Sequence, residues 1–234
     1  MDNPTILQYL ESQRDQLFNN LNGLTISTLY KQEYQDLKSG RVFVFDNGER
    51  KMLKDLKQLS KDTTNDNLIS NKIKEFLRLD NDGLIDYFIN EIEKVLDKIV
   101  DSNKQDEIQA LFIEYDYYYH YTSCVECYGQ QEYPIVVEPR YITSEYDYDK
   151  KVFFLDEGIN FKPAWIDCEE LANFDYLDIS YNLEKMFQNH SRVLLHKALK
   201  YLDDNHKLSF FKNRPFTFYI NEHDSEVMML FRLN

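Results

Sequence analysis

Three cysteines and one histidine are the residues of this sequence best suited to bind a transition metal. His120, Cys124 and Cys127 lie close together around one CxxC pair, and Cys168 follows further along the chain. Three thiolates and one imidazole are a ligand set that zinc accepts. However, the alternation of side chains along a strand would place Cys124 and Cys127 on opposite faces unless the chain turned between them. Glu126 between the two cysteines opposes thiolate formation and therefore redox chemistry. We expect no metal and no cofactor, and we expect buried or unreactive thiols.

A second metal candidate is the Asp-Asn-Asp-Gly segment at 80–83, which is similar to the calcium loop of an EF-hand. If Gly83 took the sixth loop position, Arg78 and Ile89 would take positions 1 and 12, where the motif requires carboxylates. Because both ends of the loop fail, we predict a helix start instead. In that interpretation, Asp80 or Asp82 caps the following helix, and the other acid favours its positive N-terminus.

Histidines are the scarce candidates for acid–base catalysis. They are His120, His190, His196, His206 and His223. His190 and His196 are six positions apart, about 240° around a helix, so they do not form a same-face pair. The sequence contains no GxSxG, HExxH, P-loop or GxGxxG pattern. We therefore assign no catalytic residue, although the absence of motifs does not exclude an enzyme, because catalytic triads are spatial.

Tyrosines and carboxylates coincide in the second half of the chain. Ten of the 18 tyrosines fall between Tyr115 and Tyr148, and residues 106–157 carry 12 acidic side chains against 3 basic ones. Tyrosine supplies large contact area at binding surfaces, and carboxylates raise the association rate of a basic partner. We predict a docking face for a basic protein at Glu114, Asp116, Tyr117, Tyr118, Tyr119, Tyr121, Glu126, Glu145, Asp147 and Asp149. In the alternative interpretation, one tyrosine face of the strand packs in the core and the other is an ordinary solvated surface of the sheet. Residues 145–149 are then a charged loop.

Composition excludes several classes of protein. The chain has 234 residues, 43% of them hydrophobic, which is too apolar for a disordered chain. A net charge of −14 opposes binding to phosphate backbones, so we expect no nucleic-acid partner. No stretch approaches the 18 or so apolar residues of a membrane span, the N-terminus does not resemble a secretory signal, and three cysteines form no disulfide framework. We therefore expect a cytoplasmic protein with no membrane partner.

The first 103 residues show mainly helical periodicity. The predicted helices cover roughly 4–22, 29–37, 52–59, 68–79 and 84–100, and a short apolar run at 42–45 ends in a turn signal at 46–48. The apolar stripe of the last helix predicts that Phe88, Ile92, Val95, Leu96 and Ile99 are buried. Its polar side predicts that Asp86, Glu93 and Asp97 face solvent.

Residues from 104 onward show strand periodicity, interrupted by one helical region. We predict one strand over 110–121, further strands at 135–138, 152–155, 215–220 and 226–231, a hairpin turn at 221–225, and one broken or two consecutive helices over 177–202. The predicted fold class is α+β, with a helical N-terminal half (1–103) followed by an antiparallel sheet with helices packed on one face (104–234). One continuous domain is the alternative, since the boundary is only a composition shift.

Two classes of function fit these features best. The first is a non-enzymatic acidic protein-binding module, of which a bacterial immunity protein that neutralises a basic toxin would be one instance. The alternative is a hydrolase whose unrecognised site lies between the helical half and the sheet, and a scaffold protein is a third hypothesis. The sequence specifies neither the partner nor the oligomeric state.

Overall fold

A computed structural model describes residues 2–41, 49–116, 120–136, 138, 148–222 and 227–234. The helices are α1 (Asn3–Leu21), α2 (Ile26–Lys38), α3 (Glu49–Leu59), α4 (Asn67–Leu77), α5 (Asn81–Asp101) and α6 (Ile179–Asp204). The strands are β1 (Ala110–Asp116), β2 (His120–Tyr128), β3 (Lys151–Leu155), β4 (Phe216–Glu222) and β5 (Val227–Leu233). Among the helices of the described residues, none combines the length and the apolar character needed to cross a membrane.

The five predicted helices of the N-terminal half are confirmed as α1 to α5. Local signals were sufficient to predict the start of α5. Asp80 is the N-cap of this helix, and the Asp80 Oδ1 accepts a hydrogen bond from the Gly83 N–H at 3.1 Å. Asp82 lies in the first turn, where its charge favours the positive end of the helix. The acidic segment at 80–83 therefore begins a helix, as predicted. The apolar run at 42–45 and its turn lie outside the described residues.

The apolar stripe of α5 forms part of the core. Phe88, Ile92, Val95, Leu96 and Ile99 are all buried, as predicted. Asp86 and Asp97 are exposed, whereas Glu93 is half-buried, which corrects its predicted exposure. Glu93 lies 3.4 Å from the Lys207 ammonium.

The sheet is mixed, which corrects the predicted antiparallel sheet. Its strand order is β3-β2-β1-β4-β5, and β1 pairs with β4 in parallel while the other three pairings are antiparallel. The chain leaves β3, forms α6 and returns as β4 beside β1. Parallel neighbours need such a long crossover, whereas antiparallel neighbours can be joined by a short turn.

Three local predictions in the second half were wrong. The single strand predicted over 110–121 is divided into β1 and β2, which pair antiparallel with Asp116 opposite His120. The predicted strand at 135–138 has no strand structure at 135–136, although the Val136 carbonyl accepts a hydrogen bond from the Met229 N–H at 2.6 Å. The helix predicted as broken within 177–202 is continuous over Ile179–Asp204.

The chain divides into two compact units. The first comprises Met1–Gln13, Asp80–Trp165 and Gln188–Asn234, and it contains the whole sheet. The second comprises Arg14–Leu79 and Ile166–Phe187. Position 104, where the composition changes, lies inside the first unit. In the second unit, the Phe76 ring lies 6.0 Å from Phe18 and 5.9 Å from Phe187.

The two faces of the sheet have different surroundings. One face, here called the helix face, packs against α5 and α6. Its strand side chains Leu111, Ile113, Val125 and Phe218 surround a small apolar cavity with Ile92, Val95, Leu96, Ile159 and Leu199. The opposite face, here called the cleft face, carries Phe112 stacked on Tyr219 at 4.5 Å. Because side chains alternate, Glu114 and Glu126 belong to the cleft face.

Burial changes the titration of one core histidine in the first unit. His196 on α6 is buried, and its Nδ1 lies 2.7 Å from the Leu230 carbonyl oxygen. Burial lowers the pKa of His196 below its usual value, although the hydrogen bond and the Glu11 carboxylate act in the opposite direction. Lys197 and Lys200 add to the lowering. The folded state therefore favours the neutral form of the His196 ring.

We expect this histidine to make folding stability depend on pH. Because its pKa is lowered in the folded state, the unfolded chain takes up the proton first as pH falls below about 6.5, so stability is lost progressively below that pH. Urea unfolding between pH 5 and 8 should show a larger fall in midpoint for wild type than for His196→Asn. The exposed His206 has φ 59°, which asparagine tolerates, so His206→Asn is a matched control that keeps the wild-type pH dependence. Parallel curves for wild type and His196→Asn would contradict the prediction.

Candidate functional site

The first unit carries an open acidic cleft of about 890 Å³. The described lining residues include five carboxylates, two exposed aromatic side chains besides the buried Tyr115, and a single basic side chain. The carboxylates are those of Glu114, Asp116, Glu126, Asp156 and Glu157; the aromatic pair is Tyr121 and Phe154, and the basic residue is Lys162. The cleft therefore combines concavity with an excess of negative charge.

Three neighbouring strands place these acids together. Glu114 and Asp116 end β1, and Glu126 belongs to β2, which pairs with it. Asp156 and Glu157 follow directly after β3, which pairs with the other side of β2. Residues some 40 positions apart in sequence thus line one cleft because the strands that carry them are adjacent.

Hydrogen bonds hold two of the carboxylates in place. Asn221 on β4 donates from Nδ2 to Glu114 Oε2 at 2.9 Å. The Tyr128 hydroxyl donates to Glu126 Oε2 at 2.5 Å, and the Lys151 ammonium forms an ion pair with the same carboxylate. Glu126 is consequently oriented and partly neutralised, whereas Asp156 and Glu157 are exposed.

The titration of Cys124 reports the environment inside the cleft. Burial, together with the Glu114 and Glu126 carboxylates, raises the pKa of the Cys124 thiol to about 11. The thiol is therefore protonated at neutral pH, and the thiolate is the form that attacks electrophiles or binds metal. Negative charge from two strands reaches this position, which favours a cationic ligand over a reactive cysteine.

The two aromatic rings of the cleft already contact cations of the chain itself. Tyr121 is 45% exposed and Phe154 is 48% exposed. The Lys162 ammonium lies 5.6 Å from the Tyr121 ring centroid, and the Lys151 ammonium lies 5.6 Å from that of Phe154. Aromatic faces attract ammonium and guanidinium groups at such distances. These rings can therefore stabilise basic side chains of a partner.

Tyr115 forms a rigid part of the cleft lining. It is 2% exposed, and its ring lies 5.2 Å from Phe161 and 5.5 Å from Trp165. Its hydroxyl accepts a hydrogen bond at 2.8 Å from the buried Arg192 guanidinium, which also donates to Asn189 Oδ1. This tyrosine is therefore part of the core and is not an exposed anchor for a partner.

The structure places the predicted docking residues in three groups. Glu114, Asp116, Tyr121 and Glu126 line the cleft. Asp149 is exposed in the turn before β3 and is not among the lining residues. Tyr117, Tyr118, Tyr119, Glu145 and Asp147 lie outside the described residues. Buried Tyr115 and Tyr128 show that part of the tyrosine cluster packs in the core, as the alternative interpretation proposed.

Sequence reasoning missed five lining residues after the second strand. They are Phe154, Asp156, Glu157, Asn160 and Lys162. An aromatic residue followed within three positions by two acids was a pattern visible in the sequence. Only the pairing of β3 with β2, however, shows that these residues face the acids of β1.

The zinc hypothesis does not fit the strand that carries the CxxC pair. β2 is continuous through Cys124 and Cys127, so it lacks the turn that joint chelation would require. Burial raises the pKa of the Cys127 thiol well above its usual range, and burial also raises the pKa of the Cys168 thiol to about 12. Within the described ranges, no group of three or more His, Cys, Asp or Glu residues is arranged to hold a metal ion.

The two buried histidines of α6 add no acid–base group to the cleft. His190 is buried on α6 with Nε2 2.9 Å from Asn81 Oδ1, and His196 contacts β5 as described above. Neither residue lines the cleft.

Comparison of the chain with protein-family models, with curated proteins and with solved structures gave no match. Function is therefore inferred from the residues of the cleft.

Proposed function

We propose that the protein is a non-enzymatic binding module whose acidic cleft takes the cationic segment of a basic partner protein. The observation that supports this most directly is the convergence of five carboxylates and two half-exposed aromatic rings on one concave surface, against one lysine in the described lining. Basic side chains would gain charge pairing and cation–π contact at the same place.

The charges of the cleft should affect the association rate of a partner as well as its affinity. A cleft lined by charges of one sign focuses the field and raises the encounter rate of an opposite charge. Asp156 and Glu157 are exposed at the cleft, so their field acts on an approaching partner. Phe154 and Tyr121 would then supply the apolar contact area on which binding anchors depend.

The partner class that these features favour is a basic protein rather than a nucleic acid. With a net charge of −14, the chain would repel phosphate groups. A toxin that cleaves nucleic acid is itself basic, so an immunity-type protein that covers such a toxin is one instance of this proposal.

Binding of a defined cationic probe tests the proposal. Poly-L-lysine of about 20 residues should bind at low ionic strength, and binding should weaken steeply with salt because screening shortens the range of the cleft field. Trp165 is the only tryptophan and lies 5.7 Å from the Tyr121 ring, so its fluorescence reports events at the cleft. Poly-L-glutamate is the matched control and should leave the fluorescence unchanged. Failure of poly-L-lysine to bind at low salt would contradict the proposed function.

A further inference from the structure

We infer that the partner segment binds as an added strand on the outer edge of β3, an inference that rests on the proposed function and names the form of its ligand. Within the described part of the chain, β3 is the last strand on its side of the sheet and pairs only with β2. Addition of an extended peptide to such an edge is a recurring mode of recognition, in which backbone hydrogen bonds provide affinity and alternate side chains provide specificity.

The described residues bond to the two edges of the sheet differently. At β5, the Asn3 side chain bonds both backbone groups of Arg232, accepting from its N–H at 2.9 Å and donating to its carbonyl at 2.8 Å. The Met229 N–H donates to the Val136 carbonyl at 2.6 Å. At β3, no other described segment bonds the outer backbone groups of 152–155. Exposed edges are usually protected, so an edge that no described segment protects, beside a charged cleft, is a candidate docking site.

The register of β3 determines which side chains of an added strand would reach the acids. Phe154 lies opposite Glu126, so both belong to the cleft face, whereas Phe153 lies opposite Cys127 on the helix face. In a strand added beside β3, every second side chain would therefore point to the cleft face. Glu126 would be two strand spacings away, about 10 Å between backbones, a gap that lysine or arginine can bridge to a glutamate.

The remaining side chains of the added strand would lie on the other face, beside Phe153 and Leu155. Both residues are half-buried and apolar. The ligand that fits this edge is consequently an extended segment of alternating basic and apolar residues. Phe154 would cover the aliphatic stems of the basic side chains.

A second copy of the chain fits the same edge poorly. Pairing of two β3 edges would place the carboxylates of two clefts close to each other, and like charges placed together oppose association. Charge complementarity therefore favours a basic partner segment as the occupant.

Four peptides of eight residues test this inference against the full-length protein. The first is acetylated, amidated (Lys-Val)4, and the second is Lys4Val4, which has the same composition without alternation. The third and fourth are (Lys-Val)4 peptides N-methylated on every lysine or on every valine. Alternate residues of a strand direct their N–H groups to the same neighbour. One N-methylated peptide should therefore bind about tenfold or more weakly, and the other should bind like the parent.

Hydrogen exchange locates the bound peptide. Backbone amides of 151–155 should gain protection when (Lys-Val)4 binds, and Lys4Val4 should bind more weakly. Equal affinity of the two N-methylated peptides, whether retained or lost, would overturn strand addition while leaving the proposed function in place. A dimer in sedimentation that (Lys-Val)4 dissociates would also overturn the inference, because a second copy would then be the natural occupant of the edge. If neither unmodified peptide binds at low salt while poly-L-lysine does, strand addition fails and the proposed function stands; if poly-L-lysine also fails to bind, the proposed function itself fails.

Discussion

Neutralising Asp156 and Glu157 together is expected to slow the association of a basic ligand about tenfold at low ionic strength. Both side chains are exposed at the cleft, so Asp156→Asn with Glu157→Gln removes two charges of the field without removing core contacts. Stopped-flow fluorescence of Trp165 with (Lys-Val)4 measures the rate. The difference from wild type should shrink as salt rises, since the screening length falls from about 30 Å at 0.01 M to about 10 Å at 0.1 M.

The matched control for this experiment is on α5. Asp97 and Asp101 are exposed acids outside the cleft lining, so Asp97→Asn with Asp101→Asn changes the net charge by the same amount. If the control pair slowed association as much as the cleft pair, the total charge and not the cleft would steer the ligand. Unchanged kinetics in the cleft variant would reject the cleft as the steering site.

Replacing Phe88 by alanine is expected to lower the free energy of unfolding by about 3–5 kcal/mol. Phe88 on α5 is fully buried, and its ring lies 5.8 Å from Phe161 and 5.6 Å from Tyr87. Truncation removes buried apolar surface and leaves a cavity that the surrounding rings cannot fill completely. Urea unfolding followed by circular dichroism measures the loss.

Val100→Ala on the same helix is the control, because Val100 is 41% exposed. Its effect should stay within about 0.5 kcal/mol, as for an ordinary surface change. A Phe88→Ala loss as small as this control would show that the stripe of α5 does not anchor the core.

Much of the helical structure was predictable because its signals are local. The stripe of α5 repeats with the period of a helix, and Asp80 lies three residues before the Gly83 N–H that it caps. Both features depend on residues within one or two turns of each other. The richness of 106–157 in acids was likewise visible in composition alone.

Strand divisions and pairings needed the tertiary structure. Alternation through Tyr115 and Tyr121 looks the same whether the chain continues as one strand or reverses, so it could not separate β1 from β2. The parallel pairing of β1 with β4 joins segments about 100 residues apart. A period of two describes which face a residue occupies but carries no information about which strand lies beside it.

The pairing of β2 with β1 and β3 determines which residues line the cleft. The sequence determined that acids and tyrosines are abundant between 106 and 157, but not which of them share a surface. Pairing of β2 with both neighbours places Glu126 between the acids that end β1 and the acids that follow β3, while Tyr115 and Tyr128 become core. Composition sets the total charge, whereas the concentration of that charge on one concave surface depends on long-range contacts that no local pattern encodes.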